Sequence, residues 1–279
     1  MSGMTSARTR SPALGKIAVP LLLTGAAMLL YATGFFQEDK WGPFLEPSTW
    51  RFLGEGLAVT LVIGVISLIL SLLIGVPLGM ARAGLTGPIR YVVGAYIELV
   101  RATPILAILL ITLLGLPRLG LDIEPFWAGV VALTMYTSAV LGEIVRAGIG
   151  SIPRGEVEAA RSLGLTYRHT MRRVVLPQAL ARMTPAIVSQ LITLIKDTSL
   201  LFIIGVQELV GYGRSFFNFY GNLLETYFVI AVIFFLINYP LSRVSRRLES
   251  GRPPDERVAI SGEEDQVTGR ADHITRGTT

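Results

Sequence analysis

Long apolar runs alternate with short polar segments along this chain. A bilayer core of about 30 Å needs about 20 apolar residues in a helix. The runs over 17–36, 56–80, 89–116, 126–141, 176–195 and 227–241 predict six transmembrane helices. The third contains Glu98, Arg101 and Pro104, and the fifth passes through Pro185. A shorter apolar stretch over 199–210 predicts a re-entrant or extension helix rather than a full crossing. The run over 17–36 is longer than a signal-peptide core, and Gln37-Glu38-Asp39-Lys40 follows it in place of small residues. It reads as a retained helix, with an uncleaved signal anchor as the alternative. Residues 1–16 form a polar leading segment. The tail over 250–279, with Pro253-Pro254 and Glu263-Glu264-Asp265, has the composition of a disordered segment.

The longest internal polar stretch is a helix-turn-helix between the fourth and fifth runs, a loop over 143–182. Pro153 suits a first helical turn. Glu156 and Glu158 sit where the helix dipole favours negative charge. Gly164 suits the left-handed position just past a helix end. These signals predict a short helix over 153–163, with Ala159, Ala160 and Leu163 on one face at helical spacing. Two small adjacent residues let another surface approach the backbone. Periodicity alone leaves two readings open, a connector packed on its own membrane domain or a helix seated in a partner.

Composition sharpens this picture. The 279 residues are 51% hydrophobic and 16% charged, with a mean hydropathy of +0.57. Soluble domains carry about 25% charge, so the chain reads as an all-α integral membrane protein. It contains no cysteine, which excludes disulfides and thiolate chemistry. Its two histidines, His169 and His273, lie far apart and make a histidine metal site or triad an unpromising reading. The net charge of +5 is a matter of topology. Basic residues cluster before the first run, around Arg82 and Arg90, in the central loop and in the tail, whereas Lys40, Arg51, Arg118, Lys196 and Arg214 fall on the other side. The positive-inside rule then puts both termini and the 143–182 loop in the cytoplasm. Nucleic acid is not an implied partner.

Ordered motifs decide the reading of the loop. Glu158-Ala159-Ala160, then Gly164, then Leu176-Pro177 resembles the signature of ATP-binding cassette (ABC) importer permeases. Glu98-Leu99-Val100-Arg101-Ala102-Thr103-Pro104, Glu143-Ile144-Val145-Arg146-Ala147-Gly148-Ile149, Leu176-Pro177-Gln178-Ala179 and Leu194-Ile195-Lys196-Asp197-Thr198-Ser199-Leu200 resemble, in order, elements of the polar amino acid importer permeases. Ala102 and Ala147 depart from the usual glycine, and Glu156 from the usual glutamine. The resemblance covers 54–249 and implies a five-helix permease core, to which 17–36 adds one N-terminal transmembrane helix.

In that family the loop helix is the coupling helix. The resemblance therefore gives Gly155, Glu158, Ala159, Ala160, Leu163 and Gly164 the role of docking in an ATPase subunit. It implies two copies of that ATPase, a second permease subunit (copy or paralogue), an extracytoplasmic solute-binding protein and a bacterial cytoplasmic membrane. The chain has no G-x-x-x-x-G-K-[ST] phosphate loop, so ATP and Mg²⁺ are expected on the partner and no cofactor on this chain. The cargo implied is a polar amino acid, with an osmolyte or opine as the alternative. A stand-alone secondary transporter would leave the loop unexplained, and a membrane enzyme would need a catalytic cluster at one face, for which scarce histidine and absent cysteine leave only carboxylate chemistry open.

Ionisable groups at membrane depth raise functional hypotheses. Glu98 and Arg101 lie three apart and can pair along a helix near Thr103-Pro104. They read either as groups for an ammonium and a carboxylate or as a structural pair at a helix bend. Lys196, Asp197, Thr198 and Ser199 read either as an outer gate or, for Thr198 and Ser199, as a cap of the next helix. Glu143 and Arg146 read as a structural pair anchoring the loop. Tyr136, Gln190 and Asn238 read as inter-helix hydrogen-bonding groups, and Gly64, Gly75 and Gly79 as sites of close helix packing.

Overall fold

The computed structural model describes residues 31–250, together with Thr24, Gly25 and Met28. Segment 1–16, most of the expected helix over 17–36, and the tail beyond Ser250 lie outside the described residues. Among the described residues there is no strand. The main helices are α1 (Pro47–Gly84), α2 (Pro88–Ala102), α3 (Ile105–Gly115), α4 (Pro125–Gly150), α5 (Arg154–Ser162), α6 (Leu176–Asp197), α7 (Leu209–Tyr220) and α8 (Leu223–Ser250). Four helical runs, Pro47–Gly84, Pro125–Gly150, Tyr167–Ile204 and Leu223–Ser250, are long and apolar enough to cross a membrane. The pair Pro88–Ala102 and Ile105–Leu119, bent by 102°, supplies a fifth crossing when counted as one span. Thr103 is extended ahead of Pro104, which disfavours helical geometry in the residue before it, so the third run breaks there.

The packing is that of a membrane protein. α1 buries Gly56, Thr60, Ser67, Ser71, Gly75 and Gly79 and turns Leu61, Val65, Ile69 and Leu73 outward. Lipid gives large apolar side chains no reason to turn inward, so small residues that allow close backbone approach take the interface. A Cβ on Gly75 would lie 2.6 Å from the Ser138 carbonyl oxygen, and one on Gly79 would lie 2.4 Å from that of Gly142. Gly64 is less tightly placed, since a Cβ there would lie 3.7 Å from Ile195 Cγ1. α4 is the central helix, buried along most of its length and packed on α1, α2, α3 and α6.

Within the described residues, hydropathy placed the crossings after the first expected one but misjudged their ends. α4 continues past residue 141 to Gly150, and α8 continues past 241 to Ser250, because helix propensity and packing carry a helix beyond its lipid-facing part. The 199–210 stretch divides. A 3₁₀ segment, Thr198–Ile204, continues the fifth run, and Gly205 at φ 87° turns the chain into the separate helix α7.

Candidate functional site

The loop helix α5 forms within one residue of each predicted end. Pro153 precedes it, and Gly164 follows it at φ 79°. The Leu165 N–H donates to the Ala160 carbonyl at 3.2 Å and the Gly164 N–H to that of Arg161 at 2.9 Å, the double closure of a Schellman motif. The expected face does not survive. Ala160 is 5% exposed and faces its own domain, whereas Leu163 is 82% exposed. Ala159, about 100° from Ala160 around the helix, is exposed, so the two alanines lie on different sides of α5. The outward surface is Gly155, Glu158, Ala159 and Leu163, with Gly164 at its end.

The inward side of α5 is fastened to the membrane helices. Val157 packs against a core of Val145, Ile152, Val175, Ala179 and Met183. Gln178 Nε2 donates to Glu156 Oε2. Arg182 Nη1 donates to the carbonyl of Ser151, the residue that ends α4, at 2.5 Å and ties α6 to the start of the loop. The helix is thus held on α6 through Gln178, and α6 on α4 just ahead of it.

The charged residues pair differently from the sequence expectation. Glu98 does not pair with Arg101. Its Oε1 lies 2.5 Å from Arg82 Nη2, and Arg82 Nη1 lies 2.8 Å from Glu143 Oε2. Glu143 Oε1 in turn accepts from Arg146, at 2.6 Å from Nη2 and 3.0 Å from Nε. The Arg82 guanidinium passes over Gly94, where a Cβ would make an ordinary contact 3.6 Å from Nε. The result is one chain of charges joining α1, α2 and α4. Arg101 and Thr103 lie beside it. Arg101 forms no ion pair among the described residues, and the Thr103 hydroxyl donates to the Leu99 carbonyl at 2.8 Å.

At the far end of α6, neither Thr198 nor Ser199 caps a helix. Their hydroxyls donate backwards, at 2.7 Å, to the carbonyls of Ile195 and Lys196, since the chain runs into 3₁₀ geometry without a break. The cap of α7 is Glu208, which sequence reasoning missed. Its Oε1 accepts from the Gly211 N–H at 2.9 Å, and Thr60 Oγ1 lies 3.4 Å from its Oε2. Glu208 is fully buried, and burial pushes its carboxyl up to about 7. Lys196 and Ser199 open instead into a groove between α6 and α8. It has a volume of about 500 Å³ and is walled by Phe234, Phe235, Ala231 and Asn238.

Residues 74–252 match the family described as binding-protein-dependent transport system inner membrane component. The chain belongs to this family. Among relatives of this permease, the probable glutamine ABC transporter permease of Bacillus subtilis is 40% identical over 203 residues, covering 71% of this chain and 92% of that protein. The glutamate transport system permease of Corynebacterium glutamicum is 36% identical, covering 83% of this chain and 88% of its own. A crystal structure of an amino acid ABC transporter with histidines matches at a TM-score of 0.68 and 33% identity, covering 72% of this chain and 94% of that one. The permease is thus a multi-pass membrane protein and a transport component rather than an enzyme.

Two expectations about isolated polar residues in the permease need correction. Gln190 Nε2 and Asn238 Oδ1 are buried without a hydrogen-bond partner among the described residues. Asn238 Nδ2 serves its own helix, donating to the Phe234 carbonyl at 2.8 Å. The hydroxyls that join α6 to α8 are Ser189 and Ser245, 2.9 Å apart, and Ser245 also donates to the Pro185 carbonyl. A helix-internal proline leaves a turn short of one hydrogen bond. That was a signal in the sequence, but it did not say which serine would answer it.

Proposed function

We propose that this chain is the membrane subunit of an ABC importer for polar amino acids. In this reading α5 docks in a separate ATPase subunit and carries its stroke into the bilayer. The observation that carries it is the division of α5 into two sides. The outward side offers the exposed Leu163 beside the small Ala159 and Gly155, and the inward side packs Val157 on the core between α4 and α6 and joins α6 through Glu156–Gln178. A shift of a helix so held is passed first to α6, which Arg182–Ser151 ties to the end of α4.

The partners are two ATPase subunits, which bind ATP and Mg²⁺, a second permease subunit and an extracytoplasmic binding protein that delivers the cargo. Both termini and α5 face the cytoplasm, in keeping with the clustered arginines of the loop and tail. ATP-driven closure of the ATPases draws the two α5 helices together and switches the access of a path between the permeases. The names of the similar proteins, for glutamine, glutamate and arginine transport, support a polar amino acid as cargo. Lys196, Asp197, Thr198 and Ser199 lie on that path in this reading. Glu98 belongs instead to the ion-paired frame, with Arg101 and Thr103 beside it.

The test is Ala159→Arg combined with Leu163→Arg. Both residues face outward, so the permease is expected to keep its helical content and thermal midpoint while the ATPase subunit no longer co-purifies. Unchanged co-purification refutes the docking assignment. Ala160→Arg is the wrong probe, because it drives a charge into the permease's own core.

A further inference from the structure

We propose that the far end of α8 is a binding site for an anionic phospholipid, whose phosphate is held between Arg243 and Arg247. The site rests on the crossing of a membrane by this chain and is independent of the cargo.

The outward face of α8 points to it. Phe228, Phe235, Leu236 and Tyr239 are exposed on this face, as on a helix side turned to lipid. Further along, the same face becomes basic. Arg243 and Arg247 stand four and eight residues beyond Tyr239, so the three share one side of the helix. Arg246 flanks them, and all three arginines are exposed. The start of α8 adjoins the exposed Phe219 and Tyr220, aromatic residues of the kind that sit at a membrane surface. Arg243 lies twenty residues past Leu223, the first residue of α8, roughly 30 Å along the helix. That is about the thickness of a bilayer core. The change from apolar to basic therefore falls at the level of the headgroups on the other side.

Two further observations point to a phosphate. Arg243 is set in place before any ligand arrives. Its guanidinium lies over the Tyr239 ring, 4.9 Å from the centroid, and donates to the Tyr239 hydroxyl, which leaves most of its N–H donors unused. The charge is also not neutralised within the protein. Arg243, Arg246 and Arg247 form no ion pair among the described residues. Glu249 lies at least about 120° around the helix from both Arg243 and Arg247. A planar guanidinium fork matches two oxygens of a phosphate. Zwitterionic headgroups bring a cation with their phosphate, which the arginines repel, whereas an anionic headgroup brings none. A free phosphate ion offers the same oxygens. The lipid is the better fit because the apolar side of α8 leads straight into the arginines, so acyl chains can lie on Phe235 and Leu236 while the phosphate meets the fork.

The test uses the full chain assembled with its ATPase in detergent, with retained lipids counted by native mass spectrometry. Phosphatidylglycerol and phosphatidylcholine with the same acyl chains are compared. The unaltered complex is expected to retain phosphatidylglycerol in preference. Arg243→Gln with Arg247→Gln should retain one fewer phosphatidylglycerol per copy of this chain. Arg51→Gln with Arg118→Gln removes equal charge at the start of α1 and just beyond α3, and should leave the count unchanged. Equal retention of the two lipids by the unaltered complex overturns the proposal. So does an unchanged count in Arg243→Gln with Arg247→Gln, or an equal loss in the Arg51 and Arg118 control. Release of the bound phosphatidylglycerol by millimolar inorganic phosphate at constant ionic strength would assign the arginines to a free anion and overturn the lipid site. If the double variant does not assemble, Arg243→Gln alone decides, with loss of the same lipid expected and an unchanged count overturning the site.

Discussion

Replacing Gly79 by alanine tests whether the α1–α4 crossing is the rigid frame of the permease. The added Cβ would sit 2.4 Å from the Gly142 carbonyl oxygen and 2.6 Å from Val145 Cβ, against an ordinary contact beginning near 3.4 Å. A backbone oxygen cannot rotate away, so the helices must part by about 1 Å at this level. Overpacking of this kind costs about 1–3 kcal/mol. Alanine recovers about 0.5–1 kcal/mol of helix propensity over glycine. The net loss is on the order of 1–2 kcal/mol, or a few degrees of thermal midpoint. Gly54→Ala is the control, because a Cβ there meets nothing within 4 Å, and the propensity gain stands alone. The chain has three tryptophans and no cysteine, so intrinsic fluorescence of detergent-purified protein is the suitable readout. Equal midpoints for Gly79→Ala and Gly54→Ala would refute the close-crossing argument.

Other consequences are as direct. Burial raises the Glu208 carboxyl from an ordinary 4.5 to about 7, so the folded protein holds this proton more tightly than the unfolded chain. Its contribution is fully present below about pH 4.5 and is lost as pH rises through about 7, an effect on the order of 3 kcal/mol. Glu208→Gln, which keeps an oxygen for the Gly211 N–H, should flatten the fall of the thermal midpoint between pH 5 and 8, and an unchanged slope would contradict the assignment. In the charge chain, the Glu143 side chain is 22% exposed and binds two arginines, whereas that of Glu98 is 68% exposed and binds one. Glu143→Gln should therefore cost about 1–3 kcal/mol and Glu98→Gln less than about 1 kcal/mol. Chemical denaturation that ranks them the other way would show that Glu98 carries the frame.

Where a signal was local, the sequence carried it. The helix break at Thr103-Pro104 and the left-handed Gly164 depend on backbone sterics within a few residues, and the small residues at Gly75 and Gly79 marked a close crossing without naming its partner, Ser138 and Gly142 on α4. The motif order placed the chain in its transporter family for a related reason, because spacing along one chain is preserved when the fold is. Longer-range choices were hidden. Glu98 had a plausible partner three residues away in Arg101 and took Arg82 instead, because packing of α1 on α2 brought that guanidinium over Gly94. Glu208 looked like an ordinary loop carboxylate until Thr60, far away in sequence, closed over it.

What the sequence by itself determined was that this chain crosses a membrane, where along the chain its polar loop falls and which transporter family it belongs to. Hydropathy and charge act residue by residue against the bilayer, so they can be read in order along the chain. Only the tertiary structure decided which side of α5 is free, which carboxylate holds which arginine, and that Asn238 and Lys196 share one groove. Those outcomes depend on which helices touch, and contacts between residues far apart in the chain are settled by packing, not by their neighbours in sequence.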